Sequence, residues 1–353
     1  MKKILVINPG STSTKVAVYH DMQPVWQGGA HHPQSELTKF EHASDQLDYR
    51  RNFVLSRLQA DNIPLLFDAV IARGGLLKPI SGGIYAVNEQ MKYDLLHAEM
   101  DHACNLGALI ADEIAKGCHC PAYIADPVVV DELQPRARLS GLPGMERKSI
   151  FHALNQKAVS RRYASSIGRK YEDMNLIVAH LGGGISVGAH QKGMVIDVNN
   201  ALNGEGPFSP ERAGTLPCCS LVDLCFSGRY SKKQVKQMLA GKGGLMAHLG
   251  LNDMITVAQK AEAGEEPFHE VLEAMLYTIA KQIGAMFVAL EGKVDAIILT
   301  GGIAYSVYCT NRLQQQINYL APVVVCPGED EMGALAYNAL GALNGSLPLQ
   351  EYK

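Results

Sequence analysis

Two similar stretches, half a chain apart, constrain the fold of this sequence more than any other feature. The first spans residues 4–19 and the second spans residues 175–189. In each stretch an apolar segment enters a turn of small or polar residues, and a second apolar segment leaves it. This layout predicts a β-hairpin whose turn presents backbone N–H groups and hydroxyls to an anion such as phosphate. One copy could be an ordinary hairpin, but the repeat favours two related domains that each bind phosphate.

Length and composition are typical of a globular protein with two domains. The chain has 353 residues, of which 47% are hydrophobic and 19% are charged. Its net charge of −3 gives no support for binding to nucleic acid or to a membrane, and no apolar run reaches the ~18 residues of a membrane span. Because residues 1–4 lead directly into a strand, without the apolar core of a signal peptide, we expect a cytoplasmic protein.

Cysteine and histidine show no metal-site pattern. The segment Cys118-His119-Cys120 resembles part of such a site, but no second pair lies at zinc-site spacing. We therefore expect the cysteines to be free thiols. Scattered histidines such as His32 and His102 fit no ligand pattern and are expected to be surface or core residues.

Strand and helix patterns alternate along the chain, which favours an α/β fold. We expect one domain at residues 1–150 and a second at residues 151–353. The last helix, about residues 330–345, is expected to pack back on the first domain.

Apolar spacing predicts three further helices that bear on the site. The first covers residues 98–116 with Gly117 as its C-cap, and the second covers residues 146–164. The third, residues 266–290, is apolar almost all round, which predicts a central buried helix.

Polar or flexible residues follow several predicted buried strands. Arg73 and two glycines end one strand, Asp126 ends the next, and Gly301-Gly302 end a third. Ligands of α/β sheets bind at the carboxyl ends of strands, and an arginine beside a flexible turn can bind an anion. The loop at residues 203–214, rich in glycine and proline, holds Glu205, Glu211 and Arg212 and is expected to be functional.

Together, the two turns and the Gly301-Gly302 strand end resemble the actin, sugar-kinase and heat-shock ATPase superfamily. The resemblance implies two actin-like (ribonuclease H-like) domains, related by internal duplication, that face each other across a nucleotide cleft. Other nucleotide motifs are absent, because Lys15 lacks the second glycine of a P-loop and no helix follows residues 182–184. We expect Lys15 to face solvent.

At finer grain the sequence resembles the acetate/butyrate kinase family along essentially its whole length. The opening Asn8-Pro9-Gly10-Ser11 separates this family from its relatives, which usually carry aspartate at the first position. His180–Gly184 replaces the H-L-G-N-G of acetate kinases, which also lack the run from Asn203 to Arg212. Both departures favour the butyrate or branched-chain acid kinases. The other matching segments are Ala72–Gly75, Ser149–His152 and Leu299–Gly302.

The resemblance implies an enzyme that uses ATP to phosphorylate a short carboxylic acid, reversibly, giving an acyl phosphate and ADP. A carboxylate is already ionised at pH 7, so it needs no general base. The task is to position two anions and to neutralise charge on the transferred phosphoryl group. Cationic side chains and Mg²⁺ suit that task.

The resemblance also implies catalytic roles for five residues. Arg73 would clamp the carboxylate or the transferred group, and Arg212 would contact the phosphoryl oxygens in the transition state. His152 and His180 would donate hydrogen bonds to the phosphoryl group. Asp126 would orient an arginine or hold Mg²⁺ through water.

Binding residues follow from the same resemblance. Glu331, with Asp330 as the alternative, would associate with Mg²⁺ together with Asn8. Gly75, where acetate kinases carry a bulkier apolar residue, would leave room for a longer acyl chain in a pocket shared with Phe151 and Pro210. The residues implied in ATP binding are Asn8, Gly10, Ser11, Thr12, Gly182, Gly183, Gly184, Gly301 and Gly302.

Three alternatives remain at this stage. An acetate or propionate kinase would share the chemistry with a smaller pocket. A sugar kinase would need a carboxylate base, for which Asp126 is a candidate, and a non-catalytic actin-like ATPase would need added segments for peptide binding or polymerisation. The resemblance implies a homodimer or larger homo-oligomer and leaves the preferred acid and the physiological direction open.

Overall fold

The computed structural model describes residues 1–353. The chain folds as two compact units. Unit 1 comprises Met1–Val130 and Asp330–Lys353, and unit 2 comprises Asp131–Glu329. The chain thus changes unit after Val130, not near residue 150 as the sequence predicted, and its C-terminal segment belongs to unit 1.

The elements alternate between strand and helix over most of the chain. The strands are β1 (Lys3–Pro9), β2 (Ser13–His20), β3 (Gln23–His31), β4 (Ala69–Arg73), β5 (Ile84–Ala86), β6 (Ala122–Ala125), β7 (Asn175–Leu181), β8 (Ile185–Gln191), β9 (Met194–Val198), β10 (Ala296–Gly301), β11 (Val323–Pro327) and β12 (Leu349–Gln350). The α-helices are α1 (Gln34–Leu37), α2 (Leu47–Ala60), α3 (Glu89–Leu96), α4 (Leu106–Cys118), α5 (Pro135–Arg138), α6 (Ala153–Ser166), α7 (Cys218–Phe226), α8 (Lys232–Leu239), α9 (Leu245–Leu249), α10 (Met254–Glu262), α11 (Phe268–Ala289), α12 (Val307–Ile317) and α13 (Glu331–Leu343).

Both units contain the same five-strand arrangement. In unit 1 the order is β6-β4-β1-β2-β3, extended by β5 and β12, and in unit 2 it is β11-β10-β7-β8-β9. In each case three antiparallel strands lead into parallel strands, since β1 pairs parallel to β4 and β7 pairs parallel to β10. The two hairpins expected from the sequence are therefore equivalent elements of a duplicated sheet.

The central strands of unit 1 are buried on both faces. Residues 4–7 of β1 and residues 69–72 of β4 are continuous apolar runs with no exposed surface, as expected for a parallel region covered on both sides. Helix α4 packs against β4 and β6, and α13 packs against β1 and β4. This rigid centre fixes the strand ends at which the polar residues lie.

In unit 2, helix α11 is buried along one stripe, not all round as its composition predicted. Leu272, Met275, Leu276, Ile279, Ile283 and Met286 are buried in the core, whereas Tyr277 and Val288 are 58% and 74% exposed. By length and composition α11 could cross a membrane, but core helices have the same character, and its buried stripe packs against β7 and β8.

The segment after Val130 belongs to unit 2 because its polar groups are satisfied there. The Glu132 carboxylate accepts hydrogen bonds from Lys157 Nζ at 3.0 Å and from the Val195 amide at 2.7 Å. The Gln134 amide donates to the Ile196 carbonyl at 3.0 Å. These long-range bonds have no signature in local composition.

Helix α6 begins at Ala153, seven residues later than its apolar spacing predicted for residues 146–164. The backbone before Ala153 is hydrogen-bonded to other parts of the chain. The Arg147 amide donates to the Arg138 carbonyl at 2.9 Å, and the Ile150 carbonyl accepts from the Ala201 amide at 2.9 Å. As a result His152 lies at the helix N-cap position and not within the helix.

Helix α4 also differs from its predicted span of residues 98–116. It begins at Leu106, because residues 98–102 are irregular and Ala103–Asn105 form a short 3-10 turn in place of the first part of the predicted helix. It continues through Gly117, and the left-handed conformation that ends it is adopted by His119, at φ 54°. The expected C-cap role of Gly117 is therefore wrong.

Two glycines in α4 offer a matched test of this packing. A Cβ at Gly107 would collide with the Arg73 carbonyl, whereas a Cβ at Gly117 would meet nothing within 4 Å. We expect Gly107→Ala to destabilise the protein by about 1–3 kcal/mol and Gly117→Ala to stabilise it by up to about 1 kcal/mol. Urea denaturation of both variants measures the difference. Equal midpoints would show that α4 does not pack tightly on β4.

Candidate active site

Three polar residues of unit 1 lie at one edge of its sheet. Asn8 is the second-last residue of β1, Arg73 ends β4, and Asp126 follows β6. The parallel registers pair Ile7 with Ala72 and Arg73 with Ala125, so the three residues follow one another across the sheet. This is the edge at which ligands of α/β sheets bind.

A carboxylate from α13 joins two of these residues. Glu331 Oε2 accepts a hydrogen bond from Asn8 Nδ2 at 2.6 Å, and its Oε1 lies 3.3 Å from Arg73 Nη1. Both side chains of the ion pair are largely shielded from water. Asp330 instead caps α13, since its Oδ1 accepts from the Gly333 amide at 2.9 Å. Of the two candidate acids, Glu331 is therefore the one that joins Asn8 and Arg73.

Asp126 has a different environment. It is buried, and its backbone has a positive φ of 39°. Its Oδ1 accepts a hydrogen bond from the Gly83 amide at 2.7 Å, and its own amide donates to the Gly83 carbonyl at 2.9 Å. These bonds tie the end of β6 to the start of β5 and hold the carboxylate in place.

The turn between β1 and β2 exposes Ser11 and Thr12. Ser11 Oγ lies 3.0 Å from Nε2 of His102. The Cys104 amide donates to His102 Nδ1 at 3.1 Å, so in the neutral ring Nε2 carries the proton and donates to Ser11. Burial, followed by the charge of Arg73, lowers the pKa of His102, which indicates that this ring lies near the Arg73 guanidinium.

In unit 2 the β7–β8 turn is the point on which several side chains converge. A Cβ placed on Gly184 would lie 3.8 Å from Cε1 of His152 and 3.9 Å from Cζ of Arg212. A Cβ on Gly182 would lie 3.2 Å from Nε2 of His180. Only glycines leave this space open to a ligand between two imidazoles and a guanidinium.

The loop at residues 203–214 is ordered against the same turn. Ser209 is fully buried, and its Oγ donates to the Gly183 carbonyl at 2.6 Å and accepts from the Arg212 amide at 3.1 Å. Arg212 Nη1 lies 3.4 Å from Glu211 Oε2, but its buried Nε has no hydrogen-bond partner. An unsatisfied guanidinium nitrogen is unfavourable and suits a site completed by an anionic ligand. Glu205 has a structural contact, an ion pair with Arg147 at 2.6 Å.

His152 and His180 form a parallel stack with ring centroids 3.7 Å apart and an interplanar angle of 9°. His180 Nδ1 lies 2.9 Å from Asn155 Oδ1, and its Nε2 lies 3.0 Å from Glu329 Oε1. Both ring nitrogens of His180 thus lie within hydrogen-bond distance of an oxygen atom.

A buried hydrogen-bond chain assigns the other ring of the stack. Gln156 Nε2 donates to the Ser186 carbonyl and hydroxyl, which fixes the amide orientation. Gln156 Oε1 then accepts from His190 Nε2 at 2.9 Å, and His190 Nδ1 accepts from the Tyr171 hydroxyl at 2.7 Å. The Ser186 hydroxyl is left to donate to His152 Nδ1 at 2.8 Å. His152 is therefore a neutral ring with its proton on Nε2.

The end of β10 lies beside the same turn. The pairing of Thr300 with His180 places Gly301 next to Leu181. Gly301 has a positive φ of 87°, and a Cβ there would collide with the Leu181 carbonyl. Gly302 is exposed, with open space around its Cα. Glycine at both positions leaves a surface against which a flat ligand could lie.

Comparisons with known proteins agree with this arrangement. The profile of the acetokinase family matches residues 144–321, half of the chain. A protein of Phocaeicola vulgatus described as "Probable butyrate kinase" is 71% identical to the chain over 351 residues, with 99% of each covered. The chain belongs to the acetokinase family. A second protein with the same description, from Bacteroides thetaiotaomicron, is 56% identical over 352 residues, which cover 99% of this chain and 100% of that protein.

A solved structure confirms the fold expected for this acetokinase family member. The crystal structure of Porphyromonas gingivalis acetate kinase matches with a TM-score of 0.81 at 19% identity, and the match covers 97% of this chain and 100% of that one. The predicted two-domain α/β fold is thereby confirmed, and the resemblance to the acetate/butyrate kinases is confirmed by the family profile and the two sequence relatives.

Gly75 does not leave the space expected from the sequence. A Cβ at this buried residue would lie 2.6 Å from Cα of Asn105 and 2.8 Å from Cδ2 of Leu95. The missing side chain thus permits close packing of backbone against backbone within unit 1. The other two expected pocket residues, Phe151 and Pro210, are buried in unit 2.

His102 is the main residue of the candidate site that sequence reasoning missed. It lies in an irregular segment, and nothing near it in the sequence indicates a contact with Ser11. Lys15 is exposed, as expected from the sequence.

The buried histidine chain makes stability depend on pH. Burial, with the charges of Lys157 and Arg161, lowers the pKa of His190 well below its usual range. Below about pH 6.5 the unfolded chain therefore binds a proton that the folded chain resists, and stability should fall by about 1.4 kcal/mol per pH unit for that proton. His190→Gln, which cannot titrate but retains an N–H for Gln156, should depend less on pH.

Urea denaturation of both proteins at pH 7.5 and at pH 5.5 measures this difference. An identical loss of stability in the variant would mean that folded His190 accepts its proton as readily as the unfolded chain does.

Proposed function

We propose that this chain transfers the γ-phosphoryl group of ATP to butyrate or a branched-chain acid, giving an acyl phosphate and ADP. Membership of the acetokinase family makes the chain a phosphotransferase with a carboxyl group as acceptor. The observation that carries the choice of acid is the 71% identity, over 99% of both chains, to a protein described as "Probable butyrate kinase". The reaction is reversible, because an acyl phosphate can return its phosphoryl group to ADP.

The acceptor and the side chains present suit each other. A carboxylate is its own nucleophile, so the site needs cations and hydrogen-bond donors and no base. Asp126, the candidate base of a sugar kinase, is buried, and its Oδ1 accepts a hydrogen bond from the Gly83 amide. Membership of the acetokinase family is what favours a carboxylate over a sugar as the acceptor.

In unit 1 Arg73 binds the acid. Its guanidinium offers a planar fork that matches a carboxylate. In the present geometry this fork faces Glu331 at 3.3 Å, so a substrate carboxylate would share it with an anionic neighbour. The nearby His102 adds a neutral donor beside Ser11 in the phosphate turn.

Asn8 and Glu331 fit an ion carried by the nucleotide. Mg²⁺ usually binds through one or two carboxylates together with substrate phosphates and water. Here one carboxylate and one amide lie 2.6 Å apart, and the chain has no group of three or more acidic, histidine or cysteine side chains that could hold a metal ion alone. When bound, Mg²⁺ would neutralise phosphate charge.

In unit 2 the rings of His152 and His180 offer hydrogen-bond donors to the transferred group, and the half-satisfied Arg212 offers positive charge. As it moves, negative charge spreads over its equatorial oxygens, and fixed donors stabilise that charge. Gly182–Gly184 approach the phosphates, and Gly301-Gly302 accept the adenosine. We also propose a cytoplasmic homo-oligomer, at least a dimer.

A panel of acids tests the proposed function. With ATP and Mg²⁺, butyrate and isobutyrate should give kcat/KM values at least tenfold above acetate, since two buried CH₂ groups contribute about 1.6 kcal/mol. Hydroxylamine trapping of the acyl phosphate measures each rate, with glucose as the acceptor control. Comparable values for acetate and butyrate would indicate an acetate kinase, and phosphorylation of glucose would refute the carboxylate assignment.

Replacement of the two neighbouring acids tests the metal assignment. Glu331→Gln should raise the Mg²⁺ concentration for half-maximal rate about tenfold or more, because it removes the carboxylate that is hydrogen-bonded to Asn8. Asp330→Asn should leave that concentration within about twofold, because asparagine caps a helix as well as aspartate does. Rate titrations with Mg²⁺ at fixed ATP compare them. A larger effect at Asp330 would reverse the assignment.

A further inference from the structure

A buried arginine lies beneath the turn that connects β1 and β2. Arg50, on α2, has no exposed surface. Its Nη1 donates to the carbonyls of Gly10 and Ser13 at 2.9 and 3.0 Å, and its Nη2 donates to the carbonyl of Ser11 at 3.0 Å. Nη1 also lies 3.1 Å from Thr14 Oγ1.

The far side of the guanidinium is fixed as well. Arg50 Nε donates to Oε1 of Gln46 at 2.9 Å, one helical turn earlier. The side chain thus spans from its own helix to four groups of the turn. A guanidinium can do this because its donors lie in a rigid planar fork, whereas a lysine has one nitrogen.

These bonds decide which way the peptide groups of the turn point. The carbonyls of Gly10, Ser11 and Ser13 are held by Arg50, and that of Thr12 accepts from the His32 amide at 2.7 Å. The amides of Ser11 and Thr12 donate to no other group of the chain. Carbonyls held inward and amides left for a ligand are what an anion-binding turn requires.

The charge of Arg50 is not cancelled by a neighbouring acid. Its acceptors are carbonyls, a hydroxyl and a side-chain amide, and none is a carboxylate. Burial lowers its pKa from the usual value, yet arginine stays protonated in proteins. An unpaired buried cation is costly, and an anion bound at the turn would offset part of that cost.

We propose that Arg50 is a positioning residue for the nucleotide phosphates, which holds the Gly10–Thr14 turn in its anion-binding conformation and places an uncompensated positive charge beneath it. This rests on the proposed function only in that the anion is the phosphate chain of ATP. Arg50 acts through the turn, so its loss should weaken recognition of phosphate and leave recognition of the nucleoside unchanged.

The test compares ligands with and without phosphates. Arg50→Lys keeps the positive charge but cannot reach all the acceptors of the turn. Arg50→Met removes both the charge and the hydrogen bonds. We expect ATP affinity, measured by calorimetry with excess Mg²⁺, to fall at least tenfold in each variant. Adenosine affinity, measured by NMR titration, should stay within twofold. KM for ATP should rise while KM for the acid does not.

Arg51→Lys is the matched control. Arg51 is the next residue on α2, but its guanidinium pairs with Glu113 and Asp48 at the surface, so this variant should bind ATP as the native protein does. Circular dichroism and the melting temperature report on folding. Should Arg50→Met fail to fold, Arg50→Lys carries the test, because it retains the charge and most of the buried side chain.

Two results would overturn the proposal. One is unchanged ATP affinity in Arg50→Lys, and the other is an equal loss of ATP and adenosine affinity, which would indicate a general structural defect. Failure of the native protein to phosphorylate any acid would instead refute the proposed function. In that case the affinities of the Arg50 variants for ATP and adenosine would still show whether Arg50 supports phosphate binding.

Discussion

Parallel pairing of strands is the constraint on which the candidate site residues of each unit depend. Where β1 and β4, or β7 and β10, run side by side, their carboxyl ends must meet at one edge of the sheet. Asn8 and Arg73 are neighbours for this reason, and so are His180 and the end of β10. Because the same strand order occurs in both units, one folding rule places two sets of polar groups, and α13 adds the acid that joins Asn8 to Arg73.

The sequence was sufficient where local pattern determines structure. The two hairpins, the residues that end each buried strand and the α/β class all follow from periodicity and turn chemistry. Contacts between residues far apart in the chain could not be predicted from the sequence. The start of α6 depends on the pairing of Ile150 with Ala201, and the contact of His102 with Ser11 joins residues far apart in the chain. Neither leaves a mark in composition.

The two stacked histidines show how a buried network can divide roles between identical side chains. His180 has an oxygen atom within hydrogen-bond distance of each ring nitrogen, whereas His152 receives a hydrogen bond from Ser186. The assignment of His152 depends on Gln156 and, through it, on His190 and Tyr171, all of which are buried. Such networks are favourable only when every member is satisfied. A substitution at Tyr171 would therefore alter the hydrogen bond to His152 through His190, Gln156 and Ser186.

Gly75 shows why a missing side chain cannot be equated with a pocket. Its Cα lies against Asn105, whose Oδ1 accepts from the Leu76 amide at 2.8 Å. A larger residue at position 75 would have to displace the backbone of Asn105, and so would disturb the packing two residues after Arg73. Any preference for a longer acid must then come from residues other than Gly75. Of the three residues that the resemblance implies for the acyl pocket, Phe151 and Pro210, both buried in unit 2, are the two that remain.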